Sequence, residues 1–288
     1  MLSEAEGFPI SGVERPARGR LRTTPGEAVI LIHGAGLDHR DWTFGFIQAV
    51  DPSRRVIAFD RPGFGGSGRP RLSGALPATQ ARLLRLATSA LGVRRAVLVG
   101  HSWGGAVAMA WALQDPDGVA GVVSLAGAVA PWSLASSIAH GRRMREAART
   151  SFSSGGVRQA ALDAMAESFQ PAPIPEGYVA HVENRMSESA FMEGPGAAMA
   201  QDIATINGAL GLQVQNYAAL ERPVELVYGD ADRIVHASEQ ADVAASRLSD
   251  GRVRLLKDAG HMLHHTHRRE CLAAIERAAA RARRRSAA

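Results

Sequence analysis

The 288-residue chain is poor in several residue types, and each scarcity closes off a class of protein. It has one cysteine, Cys271, so no intramolecular disulfide framework holds it together. Cys271 stands in ECLAAIERAAA beside Leu272 and Ile275, which predicts a packing residue on a C-terminal helix rather than a reactive thiol. Lys257 is the one lysine, so the net charge of +5 is carried by arginine, spread along the chain except for the cluster ERAAARARRRSAA (276–288). No aromatic residue interleaves with that cluster, as it would in a nucleic-acid platform. It predicts a solvated helix end whose cations suit the macrodipole, and no nucleic-acid partner is expected. The N-terminal MLSEAEGFPISGVERP carries early acids and no apolar run, unlike a secretory signal, so the expected location is cytoplasmic. Two charge-free stretches, 96–114 and 119–138, are long enough to span a membrane. Both are interrupted by Gly, Ser or Pro at turn positions, so no membrane span is expected.

What the chain does contain is a rhythm. Apolar and β-branched runs recur at 28–34, 54–60, 94–100, 121–127, 223–230 and 252–260, each ending in Gly, Asp or His. Runs that are apolar on consecutive positions suit strands covered on both faces, as in a parallel sheet. Helical patterns lie between them: ATQARLLRLATSALG sets Leu83, Leu84, Ala87 and Leu91 on one face and stops at Gly92. The expected fold is α/β, with a mainly parallel central sheet and helices on both faces. The rhythm fails over 132–222, where helical pieces at 142–152, 157–177 and 196–211 are separated by turns, with prolines between Pro171 and Pro175. That segment is expected to be an inserted helical cap on a core made of 1–131 and 223–288. Its methionines, Met144, Met165, Met186, Met192 and Met199, read as adaptable packing.

The reactive residues follow the strands. His33, Gly34, Ala35 and Gly36 come after the first run, Asp60 ends the second, Ser102 follows the third, Asp232 the fifth and His261 the last. Ligand sites in open α/β sheets form beyond the carboxyl ends of the strands, so a nucleophile, an acid and a base are brought to one edge. Gly100-His101-Ser102-Trp103-Gly104 fits G-x-S-x-G, a strained strand-to-helix turn. The helix after it aims free N–H groups at the site, where negative charge would develop. Asp230 lies two positions from Asp232 and competes for the role of acid. Asp60 and His33 read as loop-capping and backbone-bonded residues, His33 also as a pocket candidate, and His101 at most as a pocket wall.

Two patterns compete with this reading. GFGGSG (63–68) matches a dinucleotide-binding turn, but RPRLSGALP follows it instead of a helix, and no Asp or Glu occurs from Arg61 to Gln114 to hold a ribose. HMLHHTH gathers His261, His264, His265 and His267, but no carboxylate or cysteine stands at ligand spacing in the sequence. No cofactor and no metal are expected.

Through HGAG, DRPGFGGSG, GHSWGG, YGDADRIV and AGHMLHH the chain resembles the α/β-hydrolase superfamily over nearly its whole length. It looks most like cap-bearing esterases, haloperoxidase-like enzymes and meta-cleavage-product hydrolases. Members with an aspartate nucleophile would carry acid at Ser102. The resemblance implies a Ser102–Asp232–His261 triad, with Asp232 favoured over Asp230 by its distance from Gly229. It also implies an oxyanion hole from the backbone N–H groups of Ala35 and Trp103. The implied activity is a cofactor-independent serine hydrolase acting on a small carboxylic ester through an acyl-enzyme. A C–C bond hydrolase of a diketone-like acid, with Arg142 or Arg143 near its carboxylate, and a non-catalytic ligand receptor stand as alternatives. Trp132, Trp103 and cap methionines are the expected apolar pocket walls. Two departures accompany the likeness: the segment before Ala28 has little strand pattern, and the residues after His261 are rich in histidine.

Overall fold

The apolar runs of the sequence become strands in the computed structural model, which describes residues 1–19, 26–138, 156–181 and 195–287. Strands β1 (Ser3–Ala5) and β2 (Phe8–Ile10) form a short antiparallel hairpin of their own. The others are β3 (Gly12–Arg15), β4 (Glu27–Ile32), β5 (Val56–Phe59), β6 (Arg95–His101), β7 (Val119–Leu125), β8 (Val224–Gly229) and β9 (Gly251–Leu256). They build one seven-stranded sheet in the order β3-β5-β4-β6-β7-β8-β9. Only β3 runs antiparallel to its neighbour, and the rest pair in parallel. The weak strand pattern before Ala28 thus corresponds to three strands of only three or four residues.

Side chains alternate along the strands, and the core divides accordingly. Val29, Leu31, Val97 and Val99 face α1 (His39–Thr43), α2 (Phe46–Ala49) and the C-terminal α9 (Arg268–Ala287) through Trp42, Phe46, Cys271 and Ile275. Ile30, Ile32 and Leu98 face α3 (Pro77–Ala90), α4 (Trp103–Gln114) and α7 (Ala237–Ala245). Leu83, Leu84 and Ala87 of α3 are fully buried, each leucine worth about 1.5–3 kcal/mol. Gly92 closes that helix with φ +74°. Cys271 is buried as expected, and burial pushes its thiol pKa up. The charge-free stretch 96–114 resolves into β6, a turn at Ser102 and α4, and the second contains β7. Among the described residues no helix is long and apolar enough to cross a membrane.

The segment between β7 and β8 holds α5 (Gly156–Phe169), α6 (Pro195–Gln213) and a 3-10 turn at Val214–Ala219. Met165 packs beside Phe169, Tyr178 and Met262, so it is an internal contact. The expected helix over 142–152, with Arg142, Arg143 and Met144, lies outside the described residues, as do Met186 and Met192. The chain runs from β4 outward to β5, then returns to β6 on the other side of β4. The crevice beyond the carboxyl ends of β4 and β6 is therefore the topological switch point. A short helix α8 (Leu263–Thr266) leads from the β9 side into α9.

Candidate active site

Two backbones pass so closely at the switch point that neither tolerates a side chain there. A Cβ on Gly100 would lie 2.3 Å from the Gly104 carbonyl oxygen, and one on Gly104 would lie 2.2 Å from that of Ile32. Between them the chain reverses at Ser102, which has φ +51° and ψ −122°. A non-glycine residue held in such a region stores about 1–3 kcal/mol of strain, maintained here by the surrounding structure. Ser102 N–H donates to Leu125 O at 3.0 Å and its carbonyl accepts from Ala128 at 2.9 Å, which pins the turn on both sides. Its side chain makes no capping bond to α4, so the hydroxyl is not consumed by the helix. Gly34 lies against it: a Cβ there would stand 3.0 Å from Ser102 Cβ. The loop after β4 and the turn after β6 thus meet, as the strand-end reading expects.

The other end of the site forms at β8 and β9. His261 Nδ1 pairs with Asp232 Oδ2 at 2.8 Å, both groups almost fully buried. The second carboxylate oxygen, Oδ1, accepts the N–H groups of Ile234 and Val235 at 2.8 and 3.0 Å. Burial alone would raise this carboxyl, but the His261 ring and those N–H groups outweigh it and hold the pKa down. Asp230 is turned elsewhere, toward Ala259 N–H at 3.4 Å. Of the two candidate acids, Asp232 is the one that meets the imidazole. The His261 and Met262 N–H groups both donate to Ser168 O, at the carboxyl end of α5, at 3.0 and 3.2 Å. The helix supplies an otherwise unpaired terminal carbonyl to fix the histidine loop.

His101 bridges the two ends. It is 1% exposed, its Nε2 donates to His261 O at 3.2 Å, and its ring centroid lies 4.9 Å from that of His261. It is therefore part of the frame, not the pocket wall expected from its place in the motif. Among the described residues Ser102 and His261 form no direct hydrogen bond. Such bonds in unliganded sites commonly close only with substrate present.

His33 corrects the expectation of a pocket contact. It is fully buried, its Nε2 accepts the Arg61 N–H at 2.9 Å, and its Nδ1 lies 2.8 Å from Gly34 O. Because Nε2 accepts, Nδ1 carries the proton and donates to that carbonyl. Burial, with the Arg61 charge, pushes its pKa down to about 3, so the ring is neutral scaffolding. Asp60 ties the loops as read from the sequence, accepting from His39 N, His39 Nδ1 and Gly66 N. Trp103 is 3% exposed, with its indole against the Arg61 guanidinium. Trp132 is half-buried, its N–H donating to Asn207 Oδ1 at 2.7 Å. A surface groove of about 530 Å³ opens between Val50 and Pro52 on one side and Leu272 and Glu276 on the other; none of the triad candidates lines it.

The histidine run finds a carboxylate that linear spacing hides. Asp41, at the start of the fold, accepts from His264 Nε2 at 2.8 Å, His265 Nε2 at 2.9 Å and the Tyr178 hydroxyl at 2.9 Å. All are buried, and the ligand atoms of Asp41, His264 and His265 are close enough to surround a cation. The Nδ1 atoms of both histidines, however, are buried without a partner among the described residues. A metal on Nε2 would leave two orphaned Nδ1–H donors, against the usual support of ligating imidazoles. The arrangement fits a carboxylate satisfied by three protein donors. Burial would raise the Asp41 carboxyl, but His264 and His265 hold it well below its usual range.

The architecture is an α/β sheet with a strained strand–turn–helix at its switch point and an Asp–His pair beyond the ends of β8 and β9. Residues 27–268 match the family described as alpha/beta hydrolase fold, and the chain belongs to that family. It is 28% identical over 243 residues to the dihydrolipoyllysine-residue acetyltransferase component of the acetoin cleaving system of Pseudomonas putida, covering 83% of this chain and 59% of the relative. It is 37% identical over 105 residues to a 2-hydroxy-6-oxononadienedioate/2-hydroxy-6-oxononatrienedioate hydrolase of Paraburkholderia phymatum, covering 35% of this chain and 36% of that one. The chain thus spans under two thirds of the length of either relative. Bromoperoxidase from Bacillus anthracis superposes with a TM-score of 0.76 at 19% identity, over 96% of this chain and 98% of the other, a likeness of fold.

Proposed function

We propose that the protein is a cofactor-independent serine hydrolase in which Ser102 attacks a carbonyl carbon of a small carboxylic ester. His261 takes the Ser102 proton and returns it to the departing alcohol, and Asp232 holds the imidazole tautomer and stabilises the imidazolium. Water, activated by the same histidine, then releases the acid from the acyl-enzyme. The backbone N–H groups of Ala35 and Trp103 receive the developing oxyanion, a contribution that typically costs on the order of 10²–10³ in turnover per donor lost. The helices of 132–222 act as the cap that shapes the acyl pocket, with Trp132 as a wall.

The observation that carries this reading is the His261–Asp232 pair at 2.8 Å, joined through His101 to a strained, uncapped Ser102. A fluorophosphonate probe is expected to label Ser102, and p-nitrophenyl esters of rising chain length are expected to be hydrolysed. Ser102→Ala should abolish both. A wild-type protein that takes no label and cleaves no ester would refute the reading. The match to a hydrolase of a six-oxo dienedioate, over about a third of this chain, favours a second reading in which the same groups cleave a C–C bond. Label at Ser102 without turnover of any ester would select it.

A further inference from the structure

Arg61 follows β5 in the DRPG segment and is fully buried with a charge. Its guanidinium donates through Nε to His33 O at 2.9 Å and through Nη2 to Gly34 O at 3.2 Å. Its carbon sits 4.3 Å from the ring centroids of both Phe64 and Trp103. Its remaining nitrogen, Nη1, donates to Gln80 Oε1 at 2.9 Å and to Asp202 Oδ2 at 2.8 Å. Asp202 is itself fully buried, comes from α6, and also accepts from Arg69 at 2.9 Å and from the Gln80 amide at 3.3 Å.

One peptide unit gives this contact its meaning. The carbonyl of Gly34 and the N–H of Ala35 belong to the same planar amide and point in opposite directions. The carbonyl is held from one side by the His33 Nδ1–H and from the other by Arg61 Nη2. The peptide therefore cannot rotate without breaking two bonds, one of them charge-assisted. A cation on the carbonyl also polarises the amide and makes its N–H a stronger donor. The same guanidinium packs on the indole of Trp103, the residue whose backbone N–H is the second donor of the proposed oxyanion hole.

Resting on the serine-hydrolase reading, we propose that Arg61 is the positioning residue that aligns and polarises both oxyanion donors, and that Asp202 makes this alignment depend on α6 being docked. Without Asp202 the guanidinium would face the Gly34 and His33 carbonyls as a buried charge lacking its counter-ion, and the loop would relax toward solvent. The helix above the site thereby becomes part of its catalytic geometry, although no Asp202 atom touches substrate.

The test uses the full chain with Arg61→Lys, which keeps the charge but not the fork, and Asp202→Asn, which keeps the shape but not the charge. Both are measured with p-nitrophenyl butyrate and with a phenylboronate that forms a tetrahedral adduct on the serine. Each variant is expected to lose about 10- to 100-fold in kcat, below the ceiling for complete removal of one donor, with KM changed less than about threefold. Boronate affinity should fall in step with kcat, and the pH midpoint of kcat should not move, since the histidine pair is untouched. A purely structural residue would change folded fraction and KM without this proportionality. Should Arg61→Lys fail to fold, Asp202→Asn decides alone. Unchanged kcat and boronate affinity in a folded variant overturn the proposal while leaving the serine-hydrolase reading intact. A wild-type protein that neither cleaves esters nor takes fluorophosphonate overturns both.

Discussion

Replacing glycine by alanine inside a helix ordinarily stabilises, by up to about 1 kcal/mol, because alanine has less chain entropy to lose. Gly104 in α4 is expected to reverse that sign. Its added Cβ would meet three backbone atoms, Ile32 O at 2.2 Å, His33 O at 2.7 Å and Ile32 C at 2.8 Å. Ordinary contact begins near 3.4 Å, so the overlap with Ile32 O exceeds 1 Å, and no flexible side chain is present to yield. Helix α4 cannot step back readily, because its Gly104 carbonyl is already pressed against Gly100. Overpacking of this kind costs about 1–3 kcal/mol or more, so Gly104→Ala should lose about 2–4 kcal/mol net. Gly208 and Gly211 in α6 supply the control, since a Cβ on either meets nothing within 4 Å among the described residues. Gly208→Ala should gain about 0.5–1 kcal/mol. In thermal melts at matched pH these are shifts of about 3–7 °C downward and about 1–2 °C upward. Activity should follow the steric term: the displaced end of β4 carries the His33–Ala35 loop, so Gly104→Ala should lose turnover even well below its melting temperature. Equal melting temperatures for Gly104→Ala and wild type would refute the close approach on which the whole switch-point geometry rests.

Asp41→Asn should destabilise the fold by about 2–4 kcal/mol in urea unfolding, because an amide N–H₂ must face one of the three donors that now converge on the carboxylate. Unaltered stability would show that the histidine cluster is satisfied in another way. The acid limb of stability should have two stages. Burial and the neighbouring His265 charge push His264 down to about 4 from 6.5, so the neutral ring contributes stability that is complete above about pH 6.5 and lost as pH falls toward 4. Asp60 is held down to about 2 from 3.8 by its bonds to His39 and Gly66, which outweigh its burial; its contribution of about 2 kcal/mol is present above pH 3.8 and is lost as pH falls toward 2. Urea midpoints measured from pH 8 to pH 2 check both, with Asp60→Asn expected to flatten only the lower stage.

Legibility in the sequence followed the range over which each interaction acts. Strand runs at 28–34 and 94–100 became β4 and β6 within a few residues, because burial on both faces demands consecutive apolar side chains. The elbow was legible because its glycines answer a local steric demand, and the order of Ser102, Asp232 and His261 followed from the strand ends. What stayed hidden was set by partners far away in the chain. HMLHHTH looked like a histidine run without a carboxylate, yet its acid is Asp41, separated from His264 by 223 positions. Nothing in the sequence near Arg61 announces Asp202, 141 positions on. The backbone bonds of His33 are legible in the sequence, whereas its alternative place in the pocket and that of His101 are not found, because motif position fixes the backbone while the bonds of the ring depend on loops brought in by the tertiary fold.

These distant contacts share a direction. Ser168 at the end of α5 holds the His261 and Met262 N–H groups, Tyr178 beyond it holds Asp41 beneath His264 and His265, and Asp202 on α6 holds Arg61 under the Gly34 carbonyl. The His261 loop and the His33–Ala35 loop of the candidate site are thus both tied to the segment between β7 and β8. Two of the three ties involve a fully buried charge, and separating such a group from its partner costs about 3–5 kcal/mol. Lifting α6 as a rigid lid would leave Arg61 and Asp202 each without a buried counter-charge. Helices α5 and α6 therefore belong to the fixed frame of the site, holding the His261 loop and the Arg61 guanidinium from the segment between β7 and β8.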